Sequence, residues 1–197
     1  MKPWVEIRRS LRLALPPAVE PLSYAEAKAF LRLPDDSDQA YVTSLAVAAR
    51  EKVEGDTGRR LITQEWDLTC DSFPSDAILV PIAPLASVSS IKTVSPAGVE
   101  SIVAATNYQV DTSNTAPCIY RSDLGAWPCD LRRHQAVVVR LVVGYGASRD
   151  VPSSLLRAME QLVAHWYMHR TQSAFMPLPR WFGYDALIDP YRLMGMA

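Results

Sequence analysis

Residues 35–66 read DDSDQAYVTSLAVAAREKVEGDTGRRLITQEW, and the spacing of their apolar side chains changes part-way along. The acidic residues and serine at 35–38 suit a helix start, because they accept hydrogen bonds from free amides and favour the positive end of the helix dipole. Arg50 and Glu54 lie one turn apart and are expected on a wetter face of this helix. One apolar stripe at helical spacing is expected to be buried: Val42, Leu45, Ala46, Ala49 and Val53.

The same segment predicts where this helix ends. Gly55 or Gly58 can take the left-handed backbone conformation that terminates a helix. From Ile62 onward, apolar and polar residues alternate with a period of two, which is typical of a strand. A long helix that passes into a strand within about five residues is therefore predicted.

Two more helices are predicted on either side of this segment. Ser23 and Glu26 form a capping-box pattern, which predicts a short helix over residues 24–32. Pro152 suits the first turn of a helix, because the amide proton that proline lacks is not needed there. Apolar residues at helical spacing then predict a second long helix over residues 153–170, which is expected to pair with the first.

The middle of the chain has a different pattern. Residues 61–146 consist of short β-branched or alternating runs separated by proline, glycine and asparagine. Strands this short between helices favour antiparallel pairing over a parallel sheet. Strands are predicted at 61–70, 77–80, 88–94, 99–104, 108–111, 118–121 and 136–143.

These patterns together predict an α+β fold. Its core would be two long antiparallel helices with short terminal helices, and an antiparallel β-rich insertion would lie between the two long helices. The predicted divisions are an N-terminal arm at 1–21, a helical core at 22–60 and 147–170, the β-rich insertion at 61–146, and an aromatic and proline-rich C-terminal tail at 171–197.

Four motifs resemble those of head-tail connector proteins, the adaptors below the portal in long-tailed phages and in phage-derived gene transfer agents. They keep the family's order and cover most of the chain from about residue 21 to residue 192. None of them is a catalytic motif. The motifs are PLSYAEAKAFLRL at 21–33, AAREKVEGDTGRRLITQEW at 48–66, VGYG at 143–146 with VP at 151–152, and HWYMHR at 165–170.

The resemblance implies a structural protein that is not an enzyme and has no cofactor. About twelve copies would form a ring on the portal vertex, extend the DNA channel and dock the next head-completion (stopper) or tail protein. The implied partners are other copies of the chain, the portal protein, that next protein and, transiently and without sequence specificity, passing double-stranded DNA. The protein would be made in the bacterial cytoplasm and end at the head-tail junction. The motifs do not separate a phage from a gene transfer agent.

Composition narrows the classes of function. The chain has 197 residues, 49% of them hydrophobic, which allows one large domain or two small ones. A formal net charge of −1 argues against an independent nucleic-acid binder, which usually carries a strongly basic face. Cys70, Cys118 and Cys129 lack C-x-x-C spacing and are expected to be reduced thiols in a cytosol. No signal peptide or membrane span is predicted, so a soluble protein that is not secreted is expected.

Candidate reactive groups are few. His165 and His169 are one helical turn apart and could share a metal, but the glutamate of H-E-x-x-H is missing. Cys129 and His134 could form a nucleophile pair, but no third group is recognisable. The acidic residues at 35–38 match only the start of a calcium loop, and helix capping is the preferred explanation for them. No catalytic residue and no metal site is predicted.

Two basic clusters are candidates for subunit or DNA-channel contacts. Such arginines could contact DNA phosphates or an acidic partner, and each cluster could equally be an ordinary solvated surface. The arm that carries the first cluster could pack on a neighbouring subunit or lie on its own domain. The first cluster is Arg8, Arg9 and Arg12, and the second is Arg132, Arg133 and the neighbouring His134.

The C-terminal tail collects the residue types that are most common at binding hot spots. Its prolines restrict the chain before binding, which reduces the entropy lost on docking. A tail that inserts into the portal ring is expected, since connectors of this family are expected to hold the portal through a terminal segment. The alternative is that these side chains cover their own subunit. The candidate portal-binding residues are Arg180, Trp181, Phe182, Tyr184, Tyr191 and Arg192.

Two other classes of function stay open on the residues alone. One is a small metal- or thiol-dependent enzyme that uses His165 or Cys129. The other is a DNA-binding regulator that uses the predicted helical hairpin at 23–54, although the near-zero net charge argues against it.

Overall fold

The computed structural model describes residues 9–75, 77–112, 116–170 and 182–193, without the side chain of Phe182. The chain divides into two compact units. The β unit comprises residues 1–16 and 63–144, and the helical unit comprises residues 17–62 and 145–197. Each unit has its own buried apolar cluster.

The β unit holds eight strands among its described residues, arranged in two antiparallel sheets. One sheet has five strands in the order β1-β2-β8-β4-β5, and the other has three in the order β3-β7-β6. The strands are β1 Arg9–Leu15, β2 Gln64–Cys70, β3 Ala77–Leu79, β4 Leu85–Val94, β5 Glu100–Ile102, β6 Tyr108–Asp111, β7 Cys118–Arg121 and β8 Val137–Val143.

The central strand β8 explains how the five-stranded sheet is stabilised. Val137, Val139, Leu141 and Val143 alternate along the strand and are fully buried, while Arg140 between them points to the opposite face and is exposed. This face packs into an apolar cluster with residues of both sheets. The period of two predicted from the sequence therefore determines which face of β8 enters the core of the β unit.

A cross-strand ion pair lies on the outer face of this sheet. Asp67 is the register partner of Arg140, and the Arg140 guanidinium donates to both carboxylate oxygens of Asp67 at 2.8 Å. These bonds hold the pKa of Asp67 below its ordinary value. A carboxylate with a lowered folded-state pKa stabilises the fold above its unfolded pKa of about 4, and this contribution is lost as the pH falls through the folded-state pKa.

We therefore expect Asp67→Asn to lower the melting temperature near about pH 7 and to lower it by less near about pH 3. Glu65→Gln is the matched control, because the Glu65 carboxylate lies 4.0 Å from the same guanidinium and makes a weaker contact. Thermal melts of the three proteins at both pH values measure the difference. An equal loss at both pH values would contradict a role for the charge of Asp67.

The helical unit has four α-helices among its described residues. Ser23 caps α1 as predicted: its amide donates to Glu26 Oε2 at 2.8 Å, and the amide of Glu26 donates to Ser23 Oγ at 3.3 Å. The second helix ends at Gly58, whose φ of 71° is the left-handed conformation expected of a terminating glycine. The helices are α1 Tyr24–Leu31, α2 Gln39–Thr57, α3 Ser153–Met168 and α4 Phe182–Ile188, with 3₁₀ turns at Ser148–Asp150 and Asp189–Tyr191.

The core of the helical unit is built from all four helices and the segments that join them. Val42 and Val53 of α2 are buried with Leu155 and Met159 of α3, and Ile188 of α4 is fully buried in the same cluster. Residues outside the helices complete it: Leu22, Leu61, Ile62 and Val151.

The predicted core of two long antiparallel helices with a β insertion between them is wrong. The described chain has four helices, eight strands and two separate apolar clusters, so no helix pair forms the core of the whole subunit. The β unit is also not a simple insertion, because β1 precedes all the helices and pairs with β2. The α+β class and antiparallel pairing are confirmed, and each of the predicted strands overlaps an observed one.

Candidate assembly surfaces

The motif at residues 48–66 contributes Arg50 and Glu54 to a buried ion network in the helical unit. Arg50 is only 8% exposed, and Glu54 is only 5% exposed. Arg50 donates to a carboxylate oxygen of Glu20 at 2.8 Å and to one of Glu54 at 3.2 Å, and the other Glu54 oxygen accepts the amide of Leu61 at 2.9 Å. The prediction that Arg50 and Glu54 lie on a solvent-exposed face of the helix is wrong. Both residues are buried, and both bond to residues outside α2.

This network also stabilises the charged form of Arg50. Burial disfavours a charged guanidinium, but the carboxylates of Glu20 and Glu54 outweigh it and hold the pKa of Arg50 above its ordinary value. The ion pair with Glu20 joins the segment before α1 to α2. The hydrogen bond from the Leu61 amide joins the segment after α2 to the same helix. This part of the motif therefore has a structural role and is not a reactive site.

A second part of the same motif contacts the chain after α4. Arg59 Nε donates to the carbonyl of Tyr191 at 2.6 Å, and the guanidinium lies 5.9 Å from the centre of the Tyr191 ring. The amide of Leu193 donates to the carbonyl of Thr57 at 3.0 Å. A Cβ atom at Gly58 would lie only 3.0 Å from Leu193 Cδ1, so a larger residue there would also push against this segment. The end of α2 thus holds the chain after α4 in place.

Tyr184, one of the predicted portal-binding residues, lies inside its own subunit. It is 7% exposed, and its hydroxyl donates to Asp56 Oδ2 at 2.8 Å. Burial and then this hydrogen bond raise the pKa of Tyr184 above its ordinary value. The side chain therefore connects α4 to α2 through a neutral phenol.

The other predicted tail residues are placed only in part. Tyr191 is half-buried and contacts Arg59, as described above. Arg192 pairs with Asp185 and Asp189, each at 3.0 Å, and stays partly exposed. Arg180 and Trp181 lie outside the described residues, and nothing is described of the Phe182 side chain.

The sheet brings the two predicted basic clusters to one end. Arg9 is the register partner of Cys70, which is in turn the partner of Val137 at the start of β8. Arg9 and His134 consequently line the same open cleft, which has a volume of about 480 Å³. Sequence distance alone could not have predicted that these clusters meet.

Within these clusters, the arginines differ in how they are held. Arg132 is half-buried and donates to the carbonyl of Gln135 at 2.7 Å, whereas Arg133 is exposed. Arg9 and Arg12 are exposed on β1 and form no ion pair among the described residues. Arg8 lies outside the described residues.

The acidic run before α2 does not cap that helix as predicted. Asp38 occupies the cap position without a side-chain cap bond and instead accepts from Arg170 at 2.8 Å and from the Tyr167 hydroxyl, which together hold the pKa of Asp38 down. Asp36 accepts from Lys28 at 2.6 Å and from Tyr24 at 2.7 Å. These carboxylates connect α2 to its neighbouring helices.

The groups considered for metal or thiol chemistry form no larger cluster. No group of three or more metal-ligating side chains comes together in the part of the chain that the structure describes. The rings of His165 and His169 lie 4.5 Å apart, and burial followed by the neighbouring His169 lowers the pKa of His165. Cys70 and Cys118 are buried, and Cys129 is exposed. No helix within the described ranges is long and apolar enough to cross a membrane.

Exposed apolar side chains mark the surfaces that remain available for partners. Most of the large ones among the described residues lie on the β unit, and Val19 and Met168 lie on the helical unit. Contiguous exposed apolar surface typically marks an interaction site. The residues on the β unit are Leu13, Leu15, Leu79, Val99, Ile102, Tyr120 and Leu124.

The comparisons with known proteins give one consistent answer. No protein-family model and no curated protein matches the chain. Among solved structures, the chain is similar to one in the neck of an empty gene transfer agent particle determined with C6 symmetry, with 27% identity, a TM-score of 0.82, and coverage of 95% of this chain and 97% of that one. The resemblance to head-tail connectors is confirmed.

Two further structures support the connector resemblance at the same coverage. One is the virion of a native gene transfer agent particle, with 28% identity and a TM-score of 0.78. The other is the neck of a native particle determined with C12 symmetry, with 28% identity and a TM-score of 0.76. All three are particle structures and not enzymes, which supports the prediction that this chain is not an enzyme.

Proposed function

We propose that the chain is a structural connector at the head-tail junction of a phage-like particle of the gene transfer agent kind. The observation that carries this proposal is the similarity along 95% of the chain, at a TM-score of 0.82, to a chain of a particle neck. The described surface agrees with an assembly role, because its exposed features are strand edges and apolar side chains on the β unit.

The connector forms a homo-oligomeric ring of about twelve copies. Support comes from the symmetry of the similar assemblies, since one neck was determined with C12 symmetry and another with C6 symmetry. A ring needs two different complementary surfaces on every subunit, and the β unit offers several exposed edges. The ring is made in the bacterial cytoplasm and joins the particle during assembly.

The ring lies between the portal and the next head-completion or tail protein. The tail reaches the portal through Arg180 and Trp181, which come directly before α4. Tyr184 and Tyr191 support this contact by fixing α4 to α2, as their contacts with Asp56 and Arg59 indicate. Arg192 and Phe182 belong to the same predicted portal-binding segment.

Passing double-stranded DNA contacts the end of the five-stranded sheet that carries Arg9, Arg132 and Arg133, with Arg8 and Arg12 nearby in sequence. Arginines attract phosphates without reading sequence, and salt weakens such contacts steeply. The net charge of −1 supports contacts that are transient, because a connector must let DNA pass.

The mass of the purified chain, alone and mixed with its portal protein, tests this function. We expect ring-shaped particles in electron micrographs and a mass near twelve subunits, at least once the portal is present. A chain that stays monomeric in both samples, and does not bind the portal, would contradict the proposal. A bovine serum albumin sample at equal concentration controls for non-specific association.

A further inference from the structure

The five-stranded sheet ends in two open edges. β1 and β5 occupy opposite ends of the strand order, and within the described residues neither has a partner strand on its outer side. An open edge presents backbone amides and carbonyls that can pair with another chain. These two edges are therefore the places where the sheet can be extended.

The backbone of β5 is directed outward at two residues. The amide of Val103 donates to the carbonyl of Ile91 on β4, at 2.8 Å, so the residues in phase with Val103 face β4. Alternation along an antiparallel pair then directs the amides and carbonyls of Glu100 and Ile102 toward the open side. Both residues are exposed, so nothing in the described chain covers them.

The apolar side chains at the two edges are also uncovered. Ile102 on β5 is 71% exposed, and Val99 directly before β5 is exposed as well. On β1, Leu13 and Leu15 are exposed, although Leu11 on the same strand packs against the core of the β unit. Soluble monomers usually protect such edges, so two apolar edges on one sheet indicate a surface that is covered on assembly.

The charges of the two edges are complementary. β1 carries Arg9 and Arg12 and no acidic residue, whereas residues 96–104 around β5 carry Glu100 and no basic residue. Glu100 has only a loose contact with Lys92, at 3.5 Å, with both side chains largely exposed. Opposite charges on facing strands favour pairing, and like charges oppose it, so β1 is better matched to β5 than to a second β1.

We propose that β1 of one copy pairs with β5 of the next copy, so that the five-stranded sheets join into one continuous sheet around the ring. This inference rests on the ring of the proposed function and specifies its interface. Because the two edges differ, their pairing is head-to-tail, and head-to-tail contacts give a ring when the rotation from one copy to the next closes. A contact of β1 with another β1 would give only a two-fold dimer.

The first test compares Ile102→Lys with Leu79→Lys in the full-length chain. Both replace an exposed apolar residue of the β unit, but Leu79 belongs to the three-stranded sheet. We expect Ile102→Lys to raise the concentration needed for ring assembly by about tenfold or more, and Leu79→Lys to leave it unchanged. Circular dichroism and melting curves check that both variants fold. An equal effect of both variants, or no effect of Ile102→Lys, overturns the proposed pairing.

The second test is cross-linking, which does not depend on the stability of a variant. Leu13→Cys and Ile102→Cys are combined with Cys129→Ser, since Cys129 is the exposed natural thiol among the described residues. A short bifunctional thiol reagent should convert assembled rings into a ladder of covalent oligomers, and either single cysteine variant should give no ladder beyond dimers. Intact rings without the ladder would overturn the β1–β5 interface and leave the connector function standing. Failure of the wild-type chain to form rings or bind the portal, both alone and with the portal protein, would instead refute the proposed function itself.

Discussion

Replacing Arg50 by alanine is expected to lower the free energy of unfolding by about 3–5 kcal/mol, as removal of one partner from a buried ion pair does. The Arg50 side chain is 10% exposed, and it pairs with Glu20 and Glu54. Without it, the buried Glu54 carboxylate loses the guanidinium that donates to it and keeps the amide of Leu61 and the charge of Arg60, while Glu20 loses its ion pair. Chemical denaturation of both proteins measures the difference.

Glu51→Gln is the matched control for this prediction. Glu51 is next to Arg50 in sequence and lies 3.7 Å from the same guanidinium, but its side chain is largely exposed. An exposed ion pair contributes about 0–1 kcal/mol, so this variant should unfold almost like the wild type. A stability loss as small for Arg50→Ala as for Glu51→Gln would show that the network does not hold the helical unit together.

A double variant separates charge burial from packing. Arg50→Met with Glu54→Gln removes both charges, keeps a similar volume, and leaves an amide oxygen that can accept the amide of Leu61. Replacing a buried ion pair by neutral groups of similar size is often close to neutral. We therefore expect the double variant to be more stable than Arg50→Ala, and the reverse order would contradict this account.

The local signals in the sequence predicted the secondary structure well, and the physical reason is visible in individual residues. The capping box of Ser23 and Glu26 and the left-handed Gly58 depend on bonds within a few residues. The alternation in β8 likewise depends only on which face of a strand is buried. Such features can be recognised without knowing which segments meet in space.

The features that sequence reasoning missed depend on distant segments. The segment that forms β1 is predicted only as an arm, although Leu11, Leu13 and Leu15 alternate along it, because its partner β2 lies far along the chain. Arg50 and Glu54 have the spacing of an exposed helix pair, but both are buried and bond to Glu20 and Leu61, which lie outside the helix. The single helical core was wrong for the same reason, since strands that are distant in sequence build a second apolar cluster in the β unit.

Truncation after Arg170 is expected to unfold the helical unit and not merely to remove a portal contact. It deletes α4, and with it Ile188, which is fully buried, and the bond from Tyr184 to Asp56. Ile188→Ala alone should lower the free energy of unfolding by about 2–5 kcal/mol, as large-to-small core substitutions do. Asp189→Ala, an exposed neighbour, is the control. A truncated chain with an unchanged melting temperature would show that α4 does not belong to the core.

The same reasoning determines which variants can test portal binding. Truncation confuses loss of the fold with loss of a contact, whereas Trp181→Ala and Arg180→Ala leave α4 and its bond to α2 in the chain. We expect these two variants to bind the portal more weakly, because tryptophan and arginine contribute most at binding hot spots. Melting curves identify any variant whose weaker binding comes from loss of the fold. Tyr184→Phe should behave in the opposite way, with lower stability and retained binding, since it removes only the bond to Asp56. If Tyr184→Phe lost portal binding at full stability, Tyr184 would contact the portal directly, and its place in the subunit core would be a second, separate role.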